Sequence, residues 1–395
     1  MQSVYETLAS FNVSMNLRLI RGTVAGILLL LFVWLAKGVS LPVNDSVAYW
    51  ATARLLLNHQ NPYDTKALLA LERQVGYTRK TPLATLNPPW ILPFLMPLAF
   101  FSYPEAQKLW LVFACACVAF SIYLLWKLYG RTRYPTPAAW LLLVLFTPLL
   151  MVLAIGQVGP LVILGIAGFL WFEQRQKYGY AAVCLFLLTL KPHLVFLFWI
   201  TFGLWLVRKK QWQMLLCFAG TFAAVNGLVI LFDRQIFSQY HDFWIRNPAR
   251  WSEFPTLSGI LAHLSGSQNA TVAFLPPALA SIWLLRYWFR FHDHWNWQNE
   301  IPVLLLVSLV ASPYAWFFDG VILLPVLIQL IALPSWKQGK AALLVCYGAV
   351  NVLVIVLVGT GKHLFWYAWV APAWLLLYVW ACSMGKSEVL SSREF

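Results

Sequence analysis

Apolar runs long enough to cross a bilayer as helices recur from one end of this chain to the other, and no other feature limits its fold as strongly. In lipid, every backbone N–H and C=O needs a partner inside the protein, which leaves helices or a closed barrel. The runs are continuous rather than alternating in polarity, so they predict helices. Composition agrees. Of the 395 residues, 61% are hydrophobic and 11% charged, whereas soluble domains carry about 25% charge. The 22 Trp and 16 Tyr suit aromatic belts at two membrane interfaces. The expected fold is an all-α polytopic membrane protein, a single domain over residues 1–395.

The net charge of +14 raises the question of nucleic acid, but no binding motif accompanies it. The bases sit in short clusters between apolar runs, at Arg131/Arg133, Arg175/Lys177, Arg208/Lys209/Lys210, Arg286/Arg290, Lys337/Lys340 and Lys386. Successive clusters are two runs apart, the pattern of cytoplasmic turns. Arg18 and Arg21 join that side if an even number of spans separates Arg21 from Arg131. The first apolar run, Gly22 to Val39, lacks a small-x-small cleavage site and counts as span one. Glu105 to Tyr129 is the second. Pro88 to Phe101, short and interrupted by Pro93 and Pro97, then should not cross fully. The count is about twelve spans with both termini cytoplasmic, and thirteen if that segment crosses. The six Cys (115, 117, 184, 217, 346, 382) all lie in apolar runs, so neither a disulfide framework nor a Cys-based metal site is expected.

This topology places the unusual polar residues on the outer face. The first outer segment, 40–105, carries Asn44-Asp45-Ser46, which can cap a helix running to about Asn58. Apolar Val47, Trp50, Ala51, Leu55 and Leu57 against Arg54 and Asn58 make that helix amphipathic and interfacial. Asn61-Pro62-Tyr63-Asp64 is a turn, with Asp64 capping the next helix. Asp45 is either a helix cap or a general base at the membrane boundary, and the residue alone favours the cap. Lys191, in Lys191-Pro192-His193, is either a phosphate ligand facing a cavity or a turn lysine reaching headgroups. Gln157 sits in a Gly-x-x-Gly hairpin and either binds a sugar or phosphate or closes the turn. Asp319, in a run of aromatics, reads as a second acid, a sugar ligand, a partner for a cation such as Lys191, or a cap. His241 and Asp242, in the long 233–270 loop, read as solvated polars, and His292-Asp293-His294 as cytoplasmic surface. No Walker loop, dinucleotide turn or Ser/His/Asp spacing is present. Asp45 has no Asp-x-Asp partner, which argues against a metal-bound nucleotide sugar.

Together these pieces resemble glycosyltransferase family 87 of the GT-C superfamily, bacterial membrane mannosyltransferases that use polyprenyl-phosphate sugars. The matching residues are Asp45 with Tyr49, Asn61-Pro62-Tyr63-Asp64, Pro88-Pro89 with Pro97-Leu98-Ala99, Gly156-Gln157, Leu190-Lys191-Pro192, and Ser312-Pro313 with Asp319 and Leu323-Leu324. Each motif is short, but they run in the family's order over residues 40–330. The resemblance implies a catalytic acid in the first outer loop, at Asp45. It would deprotonate an acceptor hydroxyl that attacks the anomeric carbon opposite a lipid phosphate, with inversion. Lys191 and His193 would balance the leaving phosphate. Tyr49, Gln157, Tyr314 and Asp319 would bind substrate. The implied partners are a polyprenyl-phosphate sugar, a lipid or glycan acceptor and membrane lipids, with no cofactor or metal. The implied location is the bacterial inner membrane with an outward-facing site. Two positions depart from the family pattern. Gly159 stands where Asn is frequent, and Tyr314 where His often follows the Ser-Pro pair. The competing readings are a lipid-linked-glycan transporter or flippase, disfavoured by the absence of a visible repeat, and a glycan polymerase or ligase using Arg234, His241, Arg246, Arg250 and His263.

Overall fold

The computed structural model describes residues 41–130, 132, 135–266, 269–332, 336–361 and 364–391. The expected first span with Arg18 and Arg21 lies outside them, as do Arg131, Arg133 and the side chains of Lys337, Lys340 and Lys386. The described residues are helical with no strand. Five helices are long and apolar enough to cross a membrane: Tyr103–Tyr129, Trp212–Phe232, Ala270–His294, Ala341–Gly359 and Phe365–Met384. A sixth crossing is formed if Pro137–Val144 and Thr147–Ile155, bent by 52° at Leu145 and Phe146, make one broken span. The count of about twelve is not confirmed. The other apolar stretches fold as helices of 10–17 residues, among them Gly159–Glu173, Tyr178–Leu188, Trp297–Ala311 and Phe317–Ala332. Proline and glycine interrupt the apolar runs, and a 15-residue helix rises only about 22 Å against a hydrocarbon thickness of about 30 Å.

Helix α1, Ser46–Leu57, begins where the Asn44 side chain accepts from the Ser46 amide at 3.1 Å and the Ser46 hydroxyl at 2.6 Å. The amphipathic surface helix expected here is corrected by its packing. Every residue of α1 except Arg54 and Leu57 is buried. Trp50 Nε1 and half-buried Arg54 both donate to the Phe101 carbonyl, at 3.0 and 3.3 Å, and the Thr52 and Thr85 hydroxyls meet at 3.0 Å, while Asn58 at the helix end is exposed. Helix α2, Thr65–Gln74, starts at Asp64, whose carboxylate accepts from the amides of Lys66 and Ala67 at 2.8 and 3.2 Å. This is the expected cap. Pro89–Phe100 (α3) is a short helix broken into 3-10 and α pieces by Pro89, Pro93 and Pro97. At about 1.5–2 Å per residue it is too short to cross.

Tyr103–Tyr129 (α4) opens with Ser102 and Glu105 bonded to each other, Glu105 Oε2 accepting from the Ser102 amide and hydroxyl at 3.0 and 2.7 Å. It packs against Gly159–Glu173, which packs against Tyr178–Leu188, which packs against Trp212–Phe232. Phe196–Lys209, Ala270–His294 and Trp297–Ala311 form the adjoining group, sealed by Phe169, Phe198 and Trp297, whose ring centroids lie 5.1–5.3 Å apart. One continuous buried core runs from Val47 to Ala381.

The bundle has two chemically different ends. At one, Gln298 ties Leu128, Tyr129 and Gln174 together, and Arg208 pairs with Asp293. Arg175, next to Gln174, and Arg208 place two of the described basic turns at this end. Gly159–Glu173 runs from there to the opposite end, where Asp45, Gln157, Lys191 and Ser312 meet.

Candidate active site

The site is built from four connections far apart in sequence. The segment before α1 is pinned first. The Asp45 amide donates to the Ile155 carbonyl at 3.0 Å, and Asn44 Nδ2 to the Ala154 carbonyl at 2.8 Å. Thr147–Ile155 ends there because Gly156 adopts a left-handed φ of 77°, which favours glycine. A Cβ at Gly156 would also come within 3.1 Å of Asn44 Oδ1 and Ser46 Cβ. Trp110 Nε1 donates to the Gly156 carbonyl at 2.8 Å and locks the turn. The turn presents Gln157 to Asp45.

Asp45 caps nothing with its side chain. Its backbone is already helical, with φ −61° and ψ −16°, and Asn44 bonds the Ser46 amide instead. The carboxylate is half-buried, and its Oδ2 accepts from Gln157 Nε2 at 2.6 Å. The other side of the Gln157 amide is occupied too. Its Oε1 accepts from the Tyr49 hydroxyl at 3.2 Å and from Lys191 Nζ at 3.3 Å. Lys191 Nζ in turn lies 2.6 Å from Asp319 Oδ1, with both side chains buried. Asp319 Oδ2 accepts from the Trp316 amide at 2.9 Å, so this residue both serves its helix start and balances the lysine. The result is a continuous chain: Asp45, Gln157, Lys191, Asp319.

Burial pushes the Asp45 carboxyl above its ordinary range, opposed by the Gln157 hydrogen bond and by the positive charges of Lys191 and Arg79. A carboxylate moved toward neutrality is better matched to accept a proton than an ordinary Asp. Lys191 raises the donor strength of the Gln157 amide by bonding its carbonyl.

The remaining expected residues fall around this chain. Tyr49 is buried behind Gln157 and set edge-on to Trp110, ring centroids 5.4 Å apart. His193 stacks on Tyr314 at 3.8 Å between ring centres, one residue pair away from Lys191 and Asp319. An imidazole therefore does stand beside position 314, supplied by the neighbouring connection. Gly159 is fixed by packing, since a Cβ there would meet Val321 Cγ1 at 2.8 Å. An Asn at that position would force the Val321 and Val152 side chains to shift. His241 and Asp242 are exposed on Ile236–Arg246, away from the chain of four. The sequence offers Asn44, Asp45 and Ser46 alike as the cap, and the structure gives that bond to Asn44, which leaves Asp45 free of it. Of the adjacent Asn-Asp pair, only one member is needed at the helix start.

Glu72 borders the site from α2. It is fully buried, both of its oxygens accepting from the Leu83 amide at 3.0 and 3.1 Å, and burial pushes its carboxyl up to about 7. A raised folded-state value means that the folded protein binds the proton more tightly than the unfolded chain does. This contribution is full below the ordinary glutamate range and is lost as pH rises toward 7. Thermal unfolding between pH 5 and pH 8 is expected to show a decline with rising pH that Glu72→Gln flattens. An unchanged slope in the variant would show that Glu72 titrates normally.

A model of glycosyltransferase family 87 matches residues 85–313. The match covers Gln157, Lys191 and His193, while Asp45 precedes it and Asp319 follows it. No curated protein and no solved structure matches the chain. Since the match spans more than half of the 395 residues, the chain belongs to glycosyltransferase family 87, a family of GT-C-type glycosyltransferases.

Proposed function

We propose that this glycosyltransferase moves a hexose, mannose by its family resemblance, from a polyprenyl-phosphate donor to an acceptor hydroxyl at the outer face of the bacterial inner membrane. The observation that carries the reading is a half-buried Asp45 with no capping duty, held by Gln157 beside a balanced Lys191–Asp319 pair. It lies at the end of the helix bundle opposite Arg175 and Arg208, and the positive-inside rule supports reading that end as the outer one. In the proposed reaction Asp45 takes the acceptor hydroxyl's proton. The acceptor oxygen bonds to the anomeric carbon as the carbon–oxygen bond to the phosphate breaks. Polyprenyl phosphate leaves with that electron pair, and the configuration inverts. Tyr49 and Asp319, both buried, act through Gln157 and Lys191, while the stacked His193 and Tyr314 border the sugar. A donor with one phosphate has no pyrophosphate to chelate, so the proposal includes no metal.

The test is transfer of labelled mannose into membrane lipid extract by the purified full chain. Label from polyprenyl-phosphate mannose, with no transfer from nucleotide-linked mannose, is the expected result. Transfer from the nucleotide sugar alone would overturn the donor class. Transfer from polyprenyl-phosphate glucose in preference to mannose would overturn only the sugar.

A further inference from the structure

The charges in the site do not balance once a lipid phosphate arrives. Asp45 and Asp319 bring two carboxylates, and the one ammonium among the four linked residues, Lys191, is already paired with Asp319 at 2.6 Å. A leaving phosphate beside an ionised Asp45 therefore needs another cation, because like charges in a partly dry site repel strongly.

The loop after α2 edges the site. It starts at Gly76, where a Cβ would lie 3.9 Å from Val43, two residues before Asp45. It passes Thr85, bonded to Thr52 of α1 at 3.0 Å, and reaches Asn87, whose Nδ2 donates to the Leu190 carbonyl at 3.0 Å, one residue before Lys191. Tyr77 bonds the Thr81 carbonyl at 3.1 Å and so closes a short turn that carries Arg79. Arg79 is exposed and makes no ion pair or side-chain hydrogen bond among the described residues, yet its charge is felt at Asp45 and at Tyr77. Such a guanidinium, unpaired on a loop tied down at both ends, is suited to bind phosphate through two parallel N–H bonds.

We infer that Arg79 is the cation that receives the donor's phosphate, while Lys191, neutralised by Asp319, sets the orientation of Gln157 and Asp45. This rests on the lipid-phosphate reading above. It assigns the phosphate-binding role to a residue outside the family-matched region.

The test is direct binding of farnesyl phosphate to the purified full chain in detergent. It compares wild type with Arg79→Ala, Arg79→Lys and Lys80→Ala, with farnesol, inorganic phosphate and short-chain phosphatidylglycerol as control ligands. Arg79→Ala is expected to weaken farnesyl phosphate binding by about tenfold or more, with partial recovery in Arg79→Lys and a change of under about twofold in Lys80→Ala. Farnesol should bind all four proteins alike. Equal binding of farnesyl phosphate by wild type and Arg79→Ala would overturn the role of Arg79 and leave the donor class standing. Absence of binding by wild type would overturn the donor class, and this inference with it. Equal dependence on Arg79 for phosphatidylglycerol would mark a general headgroup contact, and for inorganic phosphate a free-phosphate site; either overturns the assignment.

Discussion

Asp45→Asn is expected to lower the rate of sugar transfer by about 10²–10⁴-fold, the contribution typical of a positioned general base. The fold should survive the change. The Asp45 side chain caps no helix, its amide bond to Ile155 belongs to the backbone, and an Asn carbonyl can still accept from Gln157. The measurement is single-turnover transfer alongside thermal unfolding, and an Asn variant with the wild-type rate would remove Asp45 from the chemistry. The pH profile adds a second readout. Transfer requires ionised Asp45, so activity falls as pH drops through its range, which burial has displaced upward. Gln157 lowers that range by its hydrogen bond. Gln157→Ala should therefore move the acid limb to higher pH, an effect that a purely structural glutamine would not produce.

The second large effect concerns stability. The side chains of Lys191 and Asp319 are 8% and 1% exposed, and Nζ and Oδ1 are 2.6 Å apart. Removing one partner strands a buried charge. Among the described residues, Lys191→Met leaves Asp319 with the Trp316 amide, and Asp319→Leu leaves the ammonium with Gln157 and the Phe318 ring. Each is expected to cost about 3–5 kcal/mol, and the double variant to recover most of the loss, because replacing both charges by apolar groups of similar size is often neutral. The double-mutant cycle is read by unfolding in detergent. Simple additivity of the two single losses would show that the pair is not coupled. A stable double variant also separates folding from chemistry, since Gln157 would then lack its cation.

What is legible in the sequence follows how local each interaction is. Asp64 caps α2 from within its own Asn-Pro-Tyr-Asp turn, and a short motif is sufficient to read it. The pairing of Asp319 with a cation such as Lys191 is readable for another reason: two ionisable residues bordering apolar runs need each other. The contact of Gln157 with Asp45 spans 112 positions between two polar groups that are each tolerable alone, so no local pattern announces it. Helix α1 misleads. Its spacing has a polar edge, but periodicity cannot say what lies around the rest of the helix: only Asn58 is exposed, Arg54 reaches the Phe101 carbonyl, and protein covers the other faces. The count of about twelve crossings is not confirmed: among the described residues five helices, or six with the bent pair, are long and apolar enough, because hydropathy registers apolar content and not helix length. Pro148 and Gly159 interrupt runs that look continuous.

The Lys191–Asp319 pair also bears on how the protein is made. Lys191 is synthesised 128 positions before its counter-charge. At about 5–20 residues per second, the ammonium waits about 6–26 s for Asp319 to emerge. During that interval it lacks the carboxylate that offsets its burial in the folded protein. The helices on either side of it, Tyr178–Leu188 and Phe196–Lys209, therefore gain their full stability only after Phe317–Ala332 has packed into the bundle. A chain cut short before Asp319 keeps an unmatched cation in its buried position, a defect that distinguishes unfinished copies from complete ones.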